Sequence, residues 1–282
     1  MKKFIIAASF LAFAFAGNAQ VTTPKSSPKA EVEQMVGLTE VEVNYARPAK
    51  KGRLVYGDLV PFGKVWRTGA NENTTVEFSD DVIIDGQTLP KGKYALFTLP
   101  KADTWDVYFY SDTSNWGLPA KWDDSKVVVT AKANPMAIGR DIENFTIDIE
   151  QLDTNTGEII LKWEKTAIPV KFTVPTHKKA MASIDATLKA SPKATDYYVA
   201  AQYLFQTTDD TKLALDYVNK SIEMQNGNAP FYVLRQKSLI QAKLGDKKGA
   251  IETAKISLKE AEKANNADYI KMNKDSINQW SK

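Results

Sequence analysis

A basic and aromatic cluster between positions 47 and 71 holds the side chains best suited to bind a ligand. From Arg47 to Arg67 there are six lysines and arginines against one acidic residue, Asp58. Glycines and prolines alternate with these cations, which places them in loops, where binding residues are common. Arginine offers a planar fork of donors that fits a carboxylate, phosphate or sulfate, and tryptophan stacks on sugars or peptides. The sequence therefore predicts a pocket for an anionic or sugar-like ligand, formed by Arg47, Arg53, Trp66, Arg67 and Asn71.

A purely structural role for the same residues is the alternative. Loop arginines often donate to backbone carbonyls, Trp66 can fill the end of a β-sandwich, and Gly69 can permit a tight turn. Sequence leaves both interpretations open, because they differ only in what the side chains contact.

A second aromatic segment is the long connection from Ser111 to Asp124, which contains Trp116 and Trp122. A loop of this length without periodicity is unusual in a compact domain, and is typical of a lid or of a cover over a sheet edge. If it folds toward Trp66, the indoles form an aromatic wall. We therefore add Trp116 to the predicted ligand-binding residues.

The rest of the sequence offers little for catalysis or metal binding. The chain has no cysteine and one histidine, His177, which excludes thiolate nucleophiles and multi-histidine metal sites. A pair of loop carboxylates can hydrolyse a glycoside or chelate calcium, but aspartate is also common in ordinary turns. We predict no catalytic residue, no metal and no cofactor, and favour a non-enzymatic binding module over a carboxylate-dependent hydrolase of a glycan or envelope polymer. The carboxylates that such a hydrolase would draw on are Asp80, Asp81, Asp123, Asp124 and Asp141.

The segment that carries the basic cluster has the pattern of an all-β domain. From residue 38 to 175, short runs rich in β-branched and aromatic residues alternate with turn residues. In "EVEVNYA", Val41, Val43 and Tyr45 fall on one face of a strand. No helix of useful length fits between the runs, so we expect eight or nine mostly antiparallel strands in a β-sandwich, with residues 38–175 as one domain.

Residues 176–282 change to the 3.6-residue period of helices, and we assign them to a second, all-α domain. Ala214 and Ser221 align with Ala250 and Ser257 at an offset of 36 residues, which resembles the tetratricopeptide helix–turn–helix repeat. The resemblance implies a groove for a protein partner, and an envelope scaffold acting through this half is a further alternative function. Tyrosines line the groove or fill the core: Tyr197, Tyr198, Tyr203, Tyr217 and Tyr232.

The N-terminus has the pattern of a cleaved secretory signal peptide, residues 1–19. Two lysines precede an apolar run too short to span a bilayer, and Gly17 and Ala19 precede a cut at Gln20. We expect residues 20–37 to form a tether, and the protein to be periplasmic or secreted with no transmembrane span after cleavage. Without the two signal-peptide lysines the chain has 35 basic and 34 acidic residues, and this near-neutral charge and the lack of a recognition motif argue against nucleic-acid partners.

Three stretches of the β half resemble a family of secreted bacterial proteins, the domain-of-unknown-function family numbered 2911. They are "YARPAKKGRLVYG", "LVPFGKVWRTGANENTTVEFSDDV" and "LPKGKYALFTLP". The resemblance implies a fold and an exported location, and it implies no activity, since none is established for the family.

Overall fold

The computed structural model describes residues 23–282. The predicted signal peptide, residues 1–19, and its cleavage site lie outside the described residues. Within the described part, no helix is both long and apolar enough to cross a membrane.

Ten strands form two antiparallel sheets, which confirms the predicted fold class of the first half. The six-stranded sheet has the order β1-β2-β3-β6-β7-β8, and the four-stranded sheet the order β5-β4-β10-β9. The strands are β1 (Lys29–Val36), β2 (Thr39–Ala46), β3 (Thr75–Phe78), β4 (Val82–Ile84), β5 (Gln87–Leu89), β6 (Gly92–Leu99), β7 (Trp105–Tyr110), β8 (Val127–Ala133), β9 (Met136–Gln151) and β10 (Thr156–Thr173).

The core lies between the two sheets and follows the period-two pattern of the sequence. In β2, Val41, Val43 and Tyr45 are buried, while the intervening Glu42 and Asn44 are partly exposed. Side chains from both sheets join this one cluster, including Phe78, Phe109, Phe145, Trp163 and Phe172. Each fully buried side chain of this kind contributes about 1.5–3 kcal/mol of hydrophobic stabilisation.

Strand β1 falls inside the stretch predicted as a tether. It pairs with the whole of β2, from Lys29 opposite Ala46 to Val36 opposite Thr39. Its alternation of apolar and polar residues is weak, since only Ala30, Val32 and Val36 on its inner side contribute to the core. The backbone hydrogen bonds of the ladder, rather than burial, account for its place in the sheet.

Six helices follow, which confirms a helical second half. They are α1 (Thr176–Lys189), α2 (Ala194–Thr207), α3 (Thr211–Glu223), α4 (Phe231–Lys243), α5 (Lys247–Lys263) and α6 (Ala267–Trp280).

The offset of 36 residues appears in the contacts of α3 and α5. Asp210 and Asp246 cap these helices by accepting hydrogen bonds from the backbone N–H groups three residues on. The Ser221 hydroxyl donates to the carbonyl of Ala194 at 2.7 Å, and the Ser257 hydroxyl donates to the carbonyl of Phe231 at 2.8 Å. Equivalent serines therefore fasten α3 to the start of α2, and α5 to the start of α4.

The two halves touch where β10 ends and α1 begins. Lys179 on α1 donates from Nζ to the Asp80 carboxylate and to the carbonyl of Leu38, both at 2.6 Å. Beside this pair, the turn between β1 and β2 packs against the first residue of α1. A Cβ atom added at Gly37 would lie 1.9 Å from the Thr176 hydroxyl oxygen.

Candidate functional site

A concavity of about 440 Å³ lies beside Trp66, and we call it the Trp66 pocket. Three of the predicted residues line it, Arg53, Trp66 and Arg67, together with Lys51. Among the residues that the structure describes, no aspartate or glutamate lines this pocket. Its walls are therefore cationic and aromatic, which favours an anionic ligand.

Arg67 is the half-buried cation of the pocket. Within residues 23–282 its guanidinium has no ion pair and no hydrogen-bond partner, although it carries five N–H donors. Its Nη1 atom would lie 2.9 Å from a Cβ atom added at Gly117, so the Ser111–Asp124 loop packs against this side chain. Its donor nitrogens are not fully buried, so they can pair with an anion without displacing a protein group.

Trp66 is held rigidly from two directions. Its backbone exchanges two hydrogen bonds with Thr98 of β6, at 2.7 and 3.0 Å. Its indole stacks on that of Trp163, with ring centroids 5.9 Å apart and planes at 20°, and meets Phe145 edge-on at 5.2 Å. Trp163 donates in turn from Nε1 to the carbonyl of Glu143 at 3.0 Å. The pocket therefore has a fixed aromatic wall.

The loop that carries Arg67 needs a glycine at its centre. A Cβ atom at Gly69 would lie 2.9 Å from the Thr74 hydroxyl and 3.2 Å from the carbonyl of Ala46. Thr68 adopts a left-handed conformation with φ of 55°, and its carbonyl accepts a hydrogen bond of 2.5 Å from the Thr74 hydroxyl. These contacts fix the backbone on both sides of the glycine and so orient Arg67.

Arg47 and Arg53 donate hydrogen bonds to backbone carbonyls, as expected if these loop arginines have a structural role. Arg47 donates from Nε to the carbonyl of Phe145 at 3.1 Å and from Nη2 to Thr146 Oγ1 at 2.8 Å. It lines a different concavity, of about 570 Å³, along β9. Arg53 donates to the carbonyls of Lys50 and Ala49 at 2.8 and 2.7 Å, from the rim of the Trp66 pocket.

Asn71 supports the pocket without lining it. Its side-chain amide donates to the carbonyl of Ser27 at 3.2 Å. Residues 25–28, which we call the N-terminal strap, are also held by a hydrogen bond from the Arg47 amide to the carbonyl of Pro28. Ser26 and Ser27 of the strap line the pocket. The segment before β1 therefore forms one wall of the candidate site.

Trp116 is 68% exposed and does not line the Trp66 pocket. Trp122 packs in a separate cluster on Phe97 and Tyr110, at centroid distances of 5.5 and 5.0 Å. The Ser111–Asp124 loop thus brings the backbone of Gly117, rather than a second loop indole, against Arg67. The indole beside Trp66 is Trp163, which the sequence analysis did not single out.

The loop carboxylates considered for hydrolysis each have a local partner. Asp80 pairs with Lys179, Asp141 pairs with Lys50 at 2.5 Å, and Asp124 accepts from the Trp122 indole at 2.8 Å. Asp81 accepts from the Lys91 amide, and Asp123 caps a short 3-10 helix, Asp124–Lys126. Among the described residues, no group of three His, Asp or Glu side chains is placed to hold a metal ion.

Besides a small concavity lined by Glu40, Glu42 and Glu77, several carboxylates gather in the concavity along β9. Asp141, Glu143 and Asp148 line it with Arg47 and other cations. Asp148 pairs with Lys162 at 2.8 Å, and Glu143 accepts from the Lys51 amide at 2.8 Å. Its acids are thus engaged in ion pairs and backbone contacts, unlike the guanidinium of Arg67.

The sole histidine lies at the surface of the helical half. Its Nδ1 is 3.2 Å from the Tyr203 hydroxyl, and the two rings stack at 6.1 Å. No carboxylate within 4 Å pairs with His177 in the described part of the chain, so the arrangement lacks the third group that orients a catalytic base.

A family model described as "Protein of unknown function (DUF2911)" matches residues 27–172. The match covers more than half of the chain, spans both sheets and includes the pocket residues from Ser27 to Trp163. No curated protein and no solved structure matches the chain. The chain belongs to the DUF2911 family, whose description assigns no function.

Proposed function

We propose that the β half is a non-enzymatic binding module that takes an anionic ligand in the Trp66 pocket. The observation that carries this proposal is Arg67, a half-buried guanidinium without a protein acceptor among the described residues, beside a fixed indole. Charged hydrogen bonds to a planar anion are strong and directional, so one arginine supplies both affinity and orientation.

Binding is favoured over hydrolysis by the distribution of acids. A glycoside hydrolase needs two carboxyl groups about 5–10 Å apart across one cleft. In the described residues, the Trp66 pocket has none, and the acids along β9 are paired with cations or amides. The pocket has the groups to hold a ligand and lacks a proton donor of suitable type.

A thermal-shift and calorimetric screen of anions and acidic saccharides tests the binding function. We expect at least one anion class to raise the melting temperature, and Arg67→Gln to abolish that shift. Arg140→Gln is the matched control, because Arg140 is an exposed arginine of the β9 concavity. A ligand that binds Arg67→Gln as tightly as the unaltered protein would contradict the assignment.

We also propose that the protein works outside the cytoplasm, in the periplasm or as a secreted protein. The basic, apolar and small-residue pattern of residues 1–19 supports this. Cell fractionation followed by N-terminal sequencing is the test, with Gln20 expected as the first residue. Full-length protein recovered from the cytoplasm would contradict it.

The helical half is proposed to bind a protein partner through the side formed by α2, α4 and α6. Tyr198 on α2 meets Tyr232 on α4 at 5.3 Å, and Phe231 meets Tyr269 on α6 at 4.8 Å. Beside them, half-buried Arg235 donates to the Ser276 hydroxyl at 3.0 Å and has no carboxylate partner in the described chain. Burial lowers the pKa of this guanidinium. An aromatic row that ends in a lone cation suits an acidic partner segment.

Site-specific crosslinking in the full chain tests this second surface. A photoreactive residue at Tyr232 is expected to capture a partner, and Arg235→Glu is expected to reduce capture severalfold. Lys255→Glu, on the exposed side of α5, is the matched control. Equal capture by both variants would contradict a role for Arg235.

A further inference from the structure

We infer that the ligand of the Trp66 pocket is a sugar acid, a pyranose ring that carries a carboxylate, as in an acidic polysaccharide. The inference rests on the proposed binding function and narrows its ligand class. Three features of the pocket carry it, one for each part of such a molecule.

The carboxylate is matched by the cations. The guanidinium of Arg67 has a flat pair of donors, which pairs in a bidentate manner with a flat carboxylate. The ammonium group of Lys51, on the same lining, has no ion pair in the described residues. Lys51 has a φ of 49°, and its amide is anchored on the Glu143 carboxylate, so its backbone position is fixed. With Arg53, three cations share one lining, which also suits consecutive acidic units of a polymer.

The ring is matched by Trp66. Its indole is half-buried, so part of it faces the pocket, and contacts with Phe145 and with Trp163, which also lines the pocket, hold it in place. The C–H groups of a pyranose pack well on an immobile aromatic surface, since the surface loses no conformational entropy on binding. The indole N–H of Trp66 has no acceptor among the described residues and is available to a sugar hydroxyl.

The hydroxyls are matched by the strap and the rim. Ser26 and Ser27 line the pocket, and neither hydroxyl has a hydrogen-bond partner within residues 23–282. Apolar residues, among them Leu59 and Val60, share the lining. This mixture of hydroxyls and apolar surface suits a sugar better than a flat aromatic acid, which would leave the serines unpaired.

Titration calorimetry with a matched ligand set is the experiment. The probes are glucuronate, its methyl ester, glucose, benzoate and inorganic phosphate, with oligomeric glucuronate as an extended arm. We expect glucuronate to bind at least about tenfold more tightly than its methyl ester or glucose, because the charged hydrogen bonds are worth about that factor or more. We also expect it to bind more tightly than benzoate, which leaves the serine hydroxyls unpaired, and than phosphate, which has no ring to pack on the indole. Arg67→Gln is expected to weaken glucuronate by roughly tenfold to a hundredfold, and Arg140→Gln to leave it unchanged.

Trp66→Phe separates the ring contact from folding, since phenylalanine keeps an apolar ring against Trp163. We expect it to weaken glucuronate severalfold and benzoate less. Far-ultraviolet circular dichroism and the melting temperature confirm that each variant is folded before titration.

The outcomes distinguish the proposed anion-binding function from the narrower inference that the anion is a sugar acid. Benzoate or phosphate binding as tightly as glucuronate, with loss in Arg67→Gln, overturns the sugar acid and leaves the anion site. If glucose binds as tightly as glucuronate, Arg67 has no role in recognition, and both the anion site and the sugar-acid ligand are overturned. If none of the probes binds, or if Arg67→Gln binds glucuronate normally, the sugar-acid inference is also overturned.

Discussion

Arg47 and Arg67 belong to one basic cluster in the sequence and have opposite surroundings in the fold. The guanidinium of Arg47 spans from the loop after β2 to the backbone and hydroxyl of β9. That of Arg67 faces a pocket and makes no such contact with the described residues. The same side chain therefore stabilises the fold at one position and is available for a ligand at the other.

This contrast predicts that substitution of Arg47 lowers stability, whereas substitution of Arg67 affects ligand binding and leaves stability almost unchanged. Arg47→Gln should lower the free energy of unfolding by about 1–3 kcal/mol, because it removes two hydrogen bonds and leaves partly buried acceptors. Arg67→Gln should change it by less than about 0.5 kcal/mol. Urea denaturation with tryptophan fluorescence measures both. A loss of stability in Arg67→Gln as large as that in Arg47→Gln would show Arg67 to be structural.

Asp106 gives a prediction for the dependence of stability on pH. Burial of its carboxyl group would raise its pKa, but hydrogen bonds from Lys132 and Lys101 outweigh that effect and hold the pKa below its usual value. A depressed carboxyl pKa stabilises the folded state above the unfolded pKa of about 3.9 and ceases to do so as pH falls through the folded pKa.

Asp106→Asn should therefore cost about 1–2 kcal/mol at pH 7, and the difference from the unaltered protein should shrink steadily below about pH 4. Urea titrations at a series of pH values measure it. Asp103→Asn, at an exposed position with no side-chain hydrogen bond or ion pair among the described residues, serves as the control. A difference that stays constant down to pH 2 would mean that the ion pairs contribute nothing.

The residue types of the candidate site could be predicted from the sequence. Which of the arginines contact the backbone and which face the pocket could not. Loop chemistry and charge indicate the cluster, since glycine, proline and arginine there are local signals. What divides Arg47 from Arg67 is the position of β9, about a hundred residues away in the chain, which supplies the acceptors for Arg47. Trp163 was overlooked for a similar reason, because an indole within a strand pattern indicates core as readily as a pocket.

At the scale of elements, the turn between β1 and β2 joins the sheet to the helices. Gly37 has a φ of 58°, and a side chain there would meet the Thr176 hydroxyl and the carbonyl of Thr154, at 1.9 and 2.3 Å. The second contact is with backbone and cannot be relieved by a change of rotamer.

Gly37→Ala should therefore destabilise the protein by more than about 2 kcal/mol, since backbone strain adds to overpacking. Gly86→Ala is a matched control, because Gly86 also has a positive φ, of 74°, with nothing within 4 Å of the added atom. It should cost only about 1 kcal/mol. Thermal and urea unfolding of both variants test this, and equal losses would contradict the close contact.

Among the elements, the helical repeat could be predicted from the sequence, whereas strand β1 could not. The repeat is visible in the sequence because Ala214 and Ser221 recur as Ala250 and Ser257, and the two serines make equivalent interhelical hydrogen bonds. Strand β1 was assigned to a tether because prolines and serines precede it and few of its residues reach the core. Its pairing depends on a neighbouring strand, which local composition does not reveal.

At the scale of the whole molecule, residues 38–175 hold 16 basic and 20 acidic residues, whereas residues 176–282 hold 17 basic and 12 acidic residues. The ion pair that links the two halves has matching signs. Lys179 of the helical half reaches Asp80 of the β half, whose carboxylate also accepts from the Thr39 hydroxyl at 2.9 Å. Burial would raise the Asp80 pKa, and the hydrogen bond from Lys179 helps to hold it below its usual value. Both partners are partly shielded from water, so the pair is less screened than a surface pair.

Lys179→Met should loosen the attachment of α1 while leaving both halves folded. We expect amide hydrogen exchange from residue 173 to 180 to rise severalfold, with little change in the strands or in α4. Lys178→Met is the matched control, since Lys178 has no ion pair among the described residues. Unchanged exchange in Lys179→Met would mean that apolar contacts alone hold the halves together.

The N-terminal strap has a practical consequence for work on this protein. Its serines line the Trp66 pocket, only a few residues after the expected cleavage point. We therefore expect an affinity tag or fluorescent protein fused to the mature N-terminus to interfere with ligand binding in the Trp66 pocket. The opposite terminus, after α6, is the better place for any handle or label.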